Sequence, residues 1–365
     1  MSKFIISGGG TGGHIFPAVA IANAIKRKAP ESDILFVGAE GKMEMEKVPA
    51  AGYKIEGLPV RGFKRKLALS NIDVMFRLFQ SMNKAKRIIK QFNPDVVIGV
   101  GGFASGPLLK QAQKLGVPTL IQEQNSYAGV TNKLLAKNAQ KICVAYEHME
   151  RFFPADKIII TGNPVRQDLL QDIELKRDEA YHYFGVQGNK KTLLILGGSL
   201  GALTINESIR AGLDRLVENR FQVIWQTGKN YFDTAAPLVD KYFEKGVVIK
   251  DFITRMDLAY SIADLVISRA GASTVSELGL IHKPVIFVPS PNVAEDHQTK
   301  NAMALIEKNA AMMIEDKKAR EELIDASIEL MNDKFRMNIY QQNIASMGIK
   351  NSADTIANEV FKLIN

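Results

Sequence analysis

Three segments of this 365-residue chain carry residue types able to hold a phosphate group or move a proton. The first is Gly8-Gly9-Gly10-Thr11-Gly12-Gly13-His14, directly after a short apolar run. Glycines between a strand and a helix let backbone N–H groups and a helix N-terminus converge on one point, which favours an anion. The second, Gly197-Gly198-Ser199-Leu200-Gly201-Ala202, has the same form, and Ser199 adds a hydroxyl donor. The third runs Arg269-Ala270-Gly271-Ala272-Ser273-Thr274-Val275-Ser276-Glu277. Its small residues open a helix whose N-terminus suits a diphosphate, and Glu277 stands where a carboxylate reaches ribose hydroxyls. The plainer alternative is that Ser273 or Thr274 caps this helix and Glu277 only complements its dipole. His14 closes the first loop, and an imidazole there can exchange a proton near pH 7. The alternative is a histidine that merely braces the loop. His148, His182 and His282 show no metal-ligand spacing and read as surface or structural residues.

These loops need a scaffold, and the pattern around them supplies one. Apolar runs at residues 4–7, 34–37, 96–99, 119–122 and 141–144 read as buried parallel strands, with helical patterns at 18–28 and 74–91 between them. The pattern restarts at residues 193–196 and continues at 223–226, 247–250, 265–268 and 285–288. Both halves open with a strand, a glycine turn and a helix. Length alone points to two domains, joined near Gly162-Asn163-Pro164-Val165-Arg166, where proline interrupts regular structure. Residues 351–365 read as a terminal helix with Ile356, Val360, Phe361 and Ile364 on one face.

Composition narrows the class. Hydrophobic residues at 46% and charged residues at 24% are ordinary for a globular protein. The single cysteine, Cys143, sits in an apolar run and reads as a small buried hydrophobe, so a reducing cytosol is the natural compartment. Met1-Ser2-Lys3 leads straight into the first strand, unlike a secretory signal. No apolar stretch reaches the ~18 residues of a membrane span. The net charge of +8 is concentrated: residues 61–90 hold nine basic residues and one acid, Asp73. Within them Met75, Leu78, Phe79 and Met82 recur at helical spacing. That is either a core helix with a solvated charged face or a surface for an anionic partner. A dinucleotide oxidoreductase using the first loop is an alternative class, but Glu40 is a poor fit to the ribose acid such a site needs. A nucleic-acid-binding protein is another, but no aromatic residues interleave with the basic cluster in a stacking pattern.

Eight motifs in order give the chain a close resemblance to the MurG family of bacterial N-acetylglucosaminyltransferases. They are G-G-T-G-G-H (9–14), P-D-V-V-I-G-x-G-G-F-x-S-G-P (94–107), Q-E-Q-N (122–125), T-N-K-x-L-A (131–136), G-N-P-V-R (162–166), G-G-S-x-G-A (197–202), R-x-G-A-x-T-x-S-E (269–277) and D-H-Q-x-x-N-A (296–302). The resemblance implies an α/β protein of the GT-B fold, two Rossmann-like doubly wound domains facing across a cleft. Residues 1–165 would take the lipid I acceptor and dock on the membrane, and 166–346 would bind UDP-GlcNAc. Residues 347–365 would pack back on the first domain. It implies GlcNAc transfer to the C4 hydroxyl of MurNAc in lipid I, giving lipid II for peptidoglycan, at the cytoplasmic face of the inner membrane. No cofactor, metal or nucleic-acid partner is implied, and no D-x-D motif occurs in the chain.

Carried over by motif, Thr11, Gly12 and Gly13 line the reaction centre. Asn125 and Arg166 reach the donor, Ser199 meets the diphosphate and Ile253 reads the uracil edge through its backbone. Ala272, Ser273, Thr274, Val275, Ser276 and Glu277 cradle diphosphate and ribose, and Gln298 holds GlcNAc hydroxyls. An inverting transfer needs one base. His14 is the candidate and Glu123 the rival. Lys64, Arg65, Lys66, Met75, Phe76, Leu78 and Phe79 belong to the expected membrane face. Leu200 stands where some members carry Gln, and His297 precedes Gln298 where some carry a Gln pair.

Overall fold

Continuous apolar runs in the sequence become strands covered on both faces, as a parallel sheet requires. The computed structural model describes residues 1–60, 70–165, 172–198 and 200–364, and of residues 70–73 and 294 only the backbone. The chain divides into two units, Met1–Val165 with Ile349–Asn365, and Arg166–Gly348.

The first unit holds a seven-stranded parallel sheet of β1 (Lys3–Gly8), β2 (Asp33–Ala39), β3 (Lys54–Leu58), β4 (Val96–Gly101), β5 (Thr119–Glu123), β6 (Lys141–Val144) and β7 (Ile158–Ile160). Their spatial order is β3-β2-β1-β4-β5-β6-β7. Successive side chains point to opposite faces. Ile5, Val97 and Ile121 therefore join one core with Ile88, Ile89 and Leu108. Phe4, Ile6 and Ile98 join the other with Ile21, Ile25, Ile356 and Val360. Each such side chain, once fully buried, contributes about 1.5–3 kcal/mol. The helix Ser352–Phe361 lies on this second face, with the Phe361 ring edge-on to Phe4 at 5.7 Å between centroids.

The second unit repeats the plan with β8 (Thr192–Leu196), β9 (Gln222–Gln226), β10 (Val247–Lys250), β11 (Leu265–Ser268), β12 (Val285–Phe287) and β13 (Met312–Met313), in the order β10-β9-β8-β11-β12-β13. Its largest core side chain, Trp225, is fully buried and donates its indole N–H to Asn206 Oδ1 at 3.0 Å. In each unit the order reverses beside the first strand, the doubly wound arrangement. Ligand sites of such sheets open at the carboxyl ends of the strands flanking that reversal. In the first unit these are β1 and β4, and in the second β8 and β11. The glycine loops follow β1 and β8, and the Arg269–Glu277 motif follows β11.

Candidate active site

At the reversal point of the first unit, two backbone loops touch. A Cβ on Gly102 would lie 2.4 Å from the Gly9 carbonyl oxygen, and Gly102 itself has φ +90°. Only glycine supplies both the conformation and the close approach. Ser105 fixes the pair, its hydroxyl placed to donate to Ser7 O at 3.0 Å or Gly101 O at 2.8 Å. Thr11 is the extended residue before the helix Gly12–Lys28, with Gly12 and Gly13 in its first turn. His14 turns back on the loop, with Nδ1 3.0 Å from the Gly9 carbonyl oxygen and 3.4 Å from Thr11 Oγ1. A carbonyl oxygen only accepts, so this contact assigns the hydrogen to Nδ1 and makes Nε2 the basic nitrogen. Gly101 reserves the space, since a Cβ there would lie 2.8 Å from Nε2.

Glu123 is at the end of β5, close in the sheet to β4, but it does a different job. It is 2% exposed. Its Oε1 accepts from the backbone N–H and side-chain amide of Asn125, each at 3.1 Å. Its Oε2 accepts from Gly129 N–H at 3.0 Å and from Asn132 at 2.8 Å. The lone pairs that would take a proton from a substrate are already accepting, so in this structure Glu123 braces Asn125 and the turn after it. Gln122, Gln124 and Asn163 continue the network: Gln122 donates to Asn163 Oδ1 at 3.0 Å, Asn163 to Gln124 O at 3.0 Å, and Gln124 to Val100 O at 2.7 Å. The Q-E-Q-N motif is thus mostly buried scaffold that holds the ends of β4 and β5 together.

In the second unit, glycines again let loops close on one another. A Cβ on Gly201, which has φ +85°, would lie 2.2 Å from Thr227 O. Gln226 links the second glycine loop to the turn after β10, donating to Gly198 O at 3.2 Å and accepting from Ile253 N–H at 2.9 Å. The Ile253 N–H therefore has a partner within the chain. The helix Ala272–Leu280 begins after Gly271, and no side chain caps it. The cap position is Gly271, so Ser273 and Thr274 stand inside the first turn rather than at the cap, where the first N–H groups carry the positive end of the helix dipole. Glu277 receives a hydrogen bond from the Tyr260 hydroxyl at 3.2 Å. Gln298 lies in the helix His297–Ile306 and accepts from Ser290 N–H at 2.8 Å through its side-chain oxygen, so its amide nitrogen is the donor end of the side chain. Before it, Glu295 and Asp296 hold φ of 52° and 54°, a left-handed conformation that non-glycine residues adopt at a cost and that clusters at functional sites. Arg269, beside the phosphate-type turn, is held by Val288 O at 2.9 Å and by Asp316. Arg166 and Ser199 lie outside the described residues. Among the described residues no group of three His, Cys, Asp or Glu side chains is placed to hold a metal ion.

The helix Ser70–Phe92 has two apolar faces rather than one. Val74, Ala85, Ile88 and Ile89 are buried in the first unit. Met75, Phe76 and Phe79 are 57%, 61% and 65% exposed, far beyond what a core helix needs. Leu78 and Met82, expected on the same stripe, instead line a cavity of about 490 Å³ with Phe103, Pro107 and Leu134. Phe103 and Leu134 are themselves exposed. Sequence reasoning missed both, because they stand in different motifs and only the fold brings them beside this helix. Lys64, Arg65 and Lys66 lie outside the described residues. Among the described residues no helix is long and apolar enough to cross a membrane.

Two Rossmann-like units with glycine loops at their reversal points define the GT-B class of folds. The N-terminal domain of glycosyltransferase family 28 matches residues 4–144 and its C-terminal domain residues 192–360. A Parabacteroides distasonis protein named UDP-N-acetylglucosamine--N-acetylmuramyl-(pentapeptide) pyrophosphoryl-undecaprenol N-acetylglucosamine transferase is 58% identical over 363 residues, covering 100% of this chain and 98% of that protein. A Phocaeicola vulgatus protein of the same name is 59% identical over 362 residues, covering 99% and 96%. The crystal structure of Acinetobacter baumannii MurG matches with a TM-score of 0.79 at 29% identity, over 99% of this chain and 100% of that one. The chain belongs to the MurG family within glycosyltransferase family 28.

Proposed function

We propose that this chain transfers GlcNAc from UDP-GlcNAc to the C4 hydroxyl of N-acetylmuramic acid in undecaprenyl-linked lipid I, giving lipid II for peptidoglycan synthesis. Full-length likeness to transferases of that name carries the reading. The second unit takes the donor. Its uncapped helix N-terminus at Ala272–Ser276 receives the diphosphate with Ser199 and Arg166, Glu277 holds the ribose, Ile253 meets the uracil and Gln298 the sugar hydroxyls. The first unit takes the acceptor at Thr11, Gly12 and Gly13, and Asn125 reaches the donor. His14 Nε2 accepts the proton of the acceptor hydroxyl as its oxygen attacks C1 of the α-linked sugar. The C1–O bond to the diphosphate breaks with its electron pair leaving on UDP, and a β-1,4 bond results. Negative charge grows on the leaving diphosphate, where fixed dipoles stabilise it without reorganising. Residues 63–87 with Phe103 and Leu134 face the inner leaflet: exposed apolar side chains insert, and lysines and arginines attract anionic lipid at about 1 kcal/mol each.

The test is release of UDP from UDP-GlcNAc by the purified chain with and without lipid I, with the product's linkage read by NMR. Acceptor-dependent release and a β-1,4 disaccharide are expected. Release that ignores the acceptor, or an α product, overturns the reading.

A further inference from the structure

The first glycine loop has the form of a phosphate cradle, yet the chain fills it with a carboxylate of its own. Glu44 opens the helix Glu44–Ala50, and its side chain is 1% exposed. Its Oε2 accepts from Gly10 N–H at 2.8 Å and its Oε1 from Ala39 N–H at 3.0 Å. Two glycines make room for it. A Cβ on Gly9 would lie 2.2 Å from Oε1, and one on Gly38 would lie 2.5 Å from Cγ. Gly9 and Gly38 are thus explained by a buried acid rather than by a bound nucleotide.

The Gly10 N–H held by Glu44 and the Gly9 carbonyl held by His14 belong to one peptide group. In a trans peptide these two point in opposite directions and are conjugated through the C–N bond. A carboxylate drawing on the N–H increases the negative charge on the carbonyl oxygen, and chains of hydrogen bonds strengthen one another in this way. We infer that Glu44 is a positioning residue for the transfer reaction, acting on His14 through the Gly9–Gly10 peptide. The line runs Glu44 Oε2, Gly10 N–H, Gly9 C=O, His14 Nδ1–H, and ends at Nε2. It fixes the tautomer and ring orientation of the imidazole, as a directly bonded carboxylate does in other catalytic histidines, with a peptide interposed. The inference rests on His14 serving as the base.

A double-variant cycle tests it. Glu44→Ala is expected to lower kcat roughly 10- to 100-fold, the scale of losing a histidine's outer partner, with KM for UDP-GlcNAc unchanged within about two-fold. Sodium acetate, which replaces the deleted atoms, restores rate, and acetamide does not. In a His14→Ala background the same change costs nothing further. Equal rescue by acetamide, or an undiminished loss in the His14→Ala background, overturns the inference. Glu44→Gln keeps the volume and serves the same cycle if the alanine variant does not fold. The imidazole tautomer, read by 15N NMR, separates this inference from the base assignment. In the wild type the hydrogen is expected on Nδ1, and in Glu44→Gln the tautomers mix whether or not His14 is the base. An unchanged tautomer population in Glu44→Gln overturns the link.

Discussion

At the scale of single residues, His14 is the base of the proposed reaction. Its Nδ1 is committed to the Gly9 carbonyl, so Nε2 alone faces the task of taking a proton. His14→Ala is expected to lower kcat by ~10²-fold or more, the usual worth of a general base. UDP affinity, measured by calorimetry, stays near wild type because the nucleotide is assigned to the other unit. A variant of near-normal rate would refute the role. The histidine was legible in the sequence because it ends a glycine run. The reason for the glycines was not. A phosphate cradle and a seat for a buried acid look alike in sequence, and only the distance from Glu44 to Gly10 separates them. Glu123 was ambiguous for a similar cause: an acid beside a site reads as catalytic until its four donors are seen.

At the scale of elements, charge holds the entry helix of the second unit. Asp257 accepts from Arg255 Nε and Nη2, both at 2.9 Å, and pairs with Lys176 at 3.0 Å. Arg255 also reaches Glu179 at 3.0 Å. These contacts tie the helices Arg177–Phe184 and Met256–Ile262. The Arg255 hydrogen bonds, and then Lys176, hold the Asp257 carboxyl well below the usual carboxylate range. A depressed value in the folded state means the stabilisation is complete above the unfolded aspartate range and is lost progressively below it, as pH falls toward the folded value. Asp257→Asn should therefore lower the thermal midpoint at pH 7, with the gap to wild type closing below about pH 4. A constant gap across that range would count against the assignment.

The same scale shows where sequence periodicity stops. The expected strands were found, and β3, β7 and β13 were found without having been expected. All three are edges of their sheets. β3 has exposed Lys54 and Glu56 flanking Ile55 and so no continuous apolar run, while β7 and β13 span only three and two residues. The first helix begins at Gly12 rather than near residue 18, because glycine, histidine and proline in its opening turns carry no helical pattern.

At the scale of the whole molecule, the basic and apolar surface of the first unit predicts reversible attachment to membranes. The double change Phe76→Glu with Phe79→Glu should abolish flotation with vesicles of anionic phospholipid while leaving transfer to a short-chain soluble acceptor intact. Wild-type binding should weaken as salt rises, since exposed charges are screened over about 8–10 Å at physiological ionic strength. Binding of the variant equal to wild type would remove this surface from consideration. Sequence reading placed the helix but not the cavity beside it, because Phe103 and Leu134 come from other elements.

The first unit is also discontinuous: Met1–Val165 is completed by Ile349–Asn365. Ala353, Ile356, Ala357 and Val360 fill a core that Phe4 and Cys143 began, and burial there pushes the Cys143 thiol up to about 12. During translation this lobe waits, half-closed, while the ribosome makes all of the other one. The helix Gly12–Lys28 covers part of that face from the start, but the rest waits for the closing helix, so the second lobe to be synthesised is the first to have all of its residues.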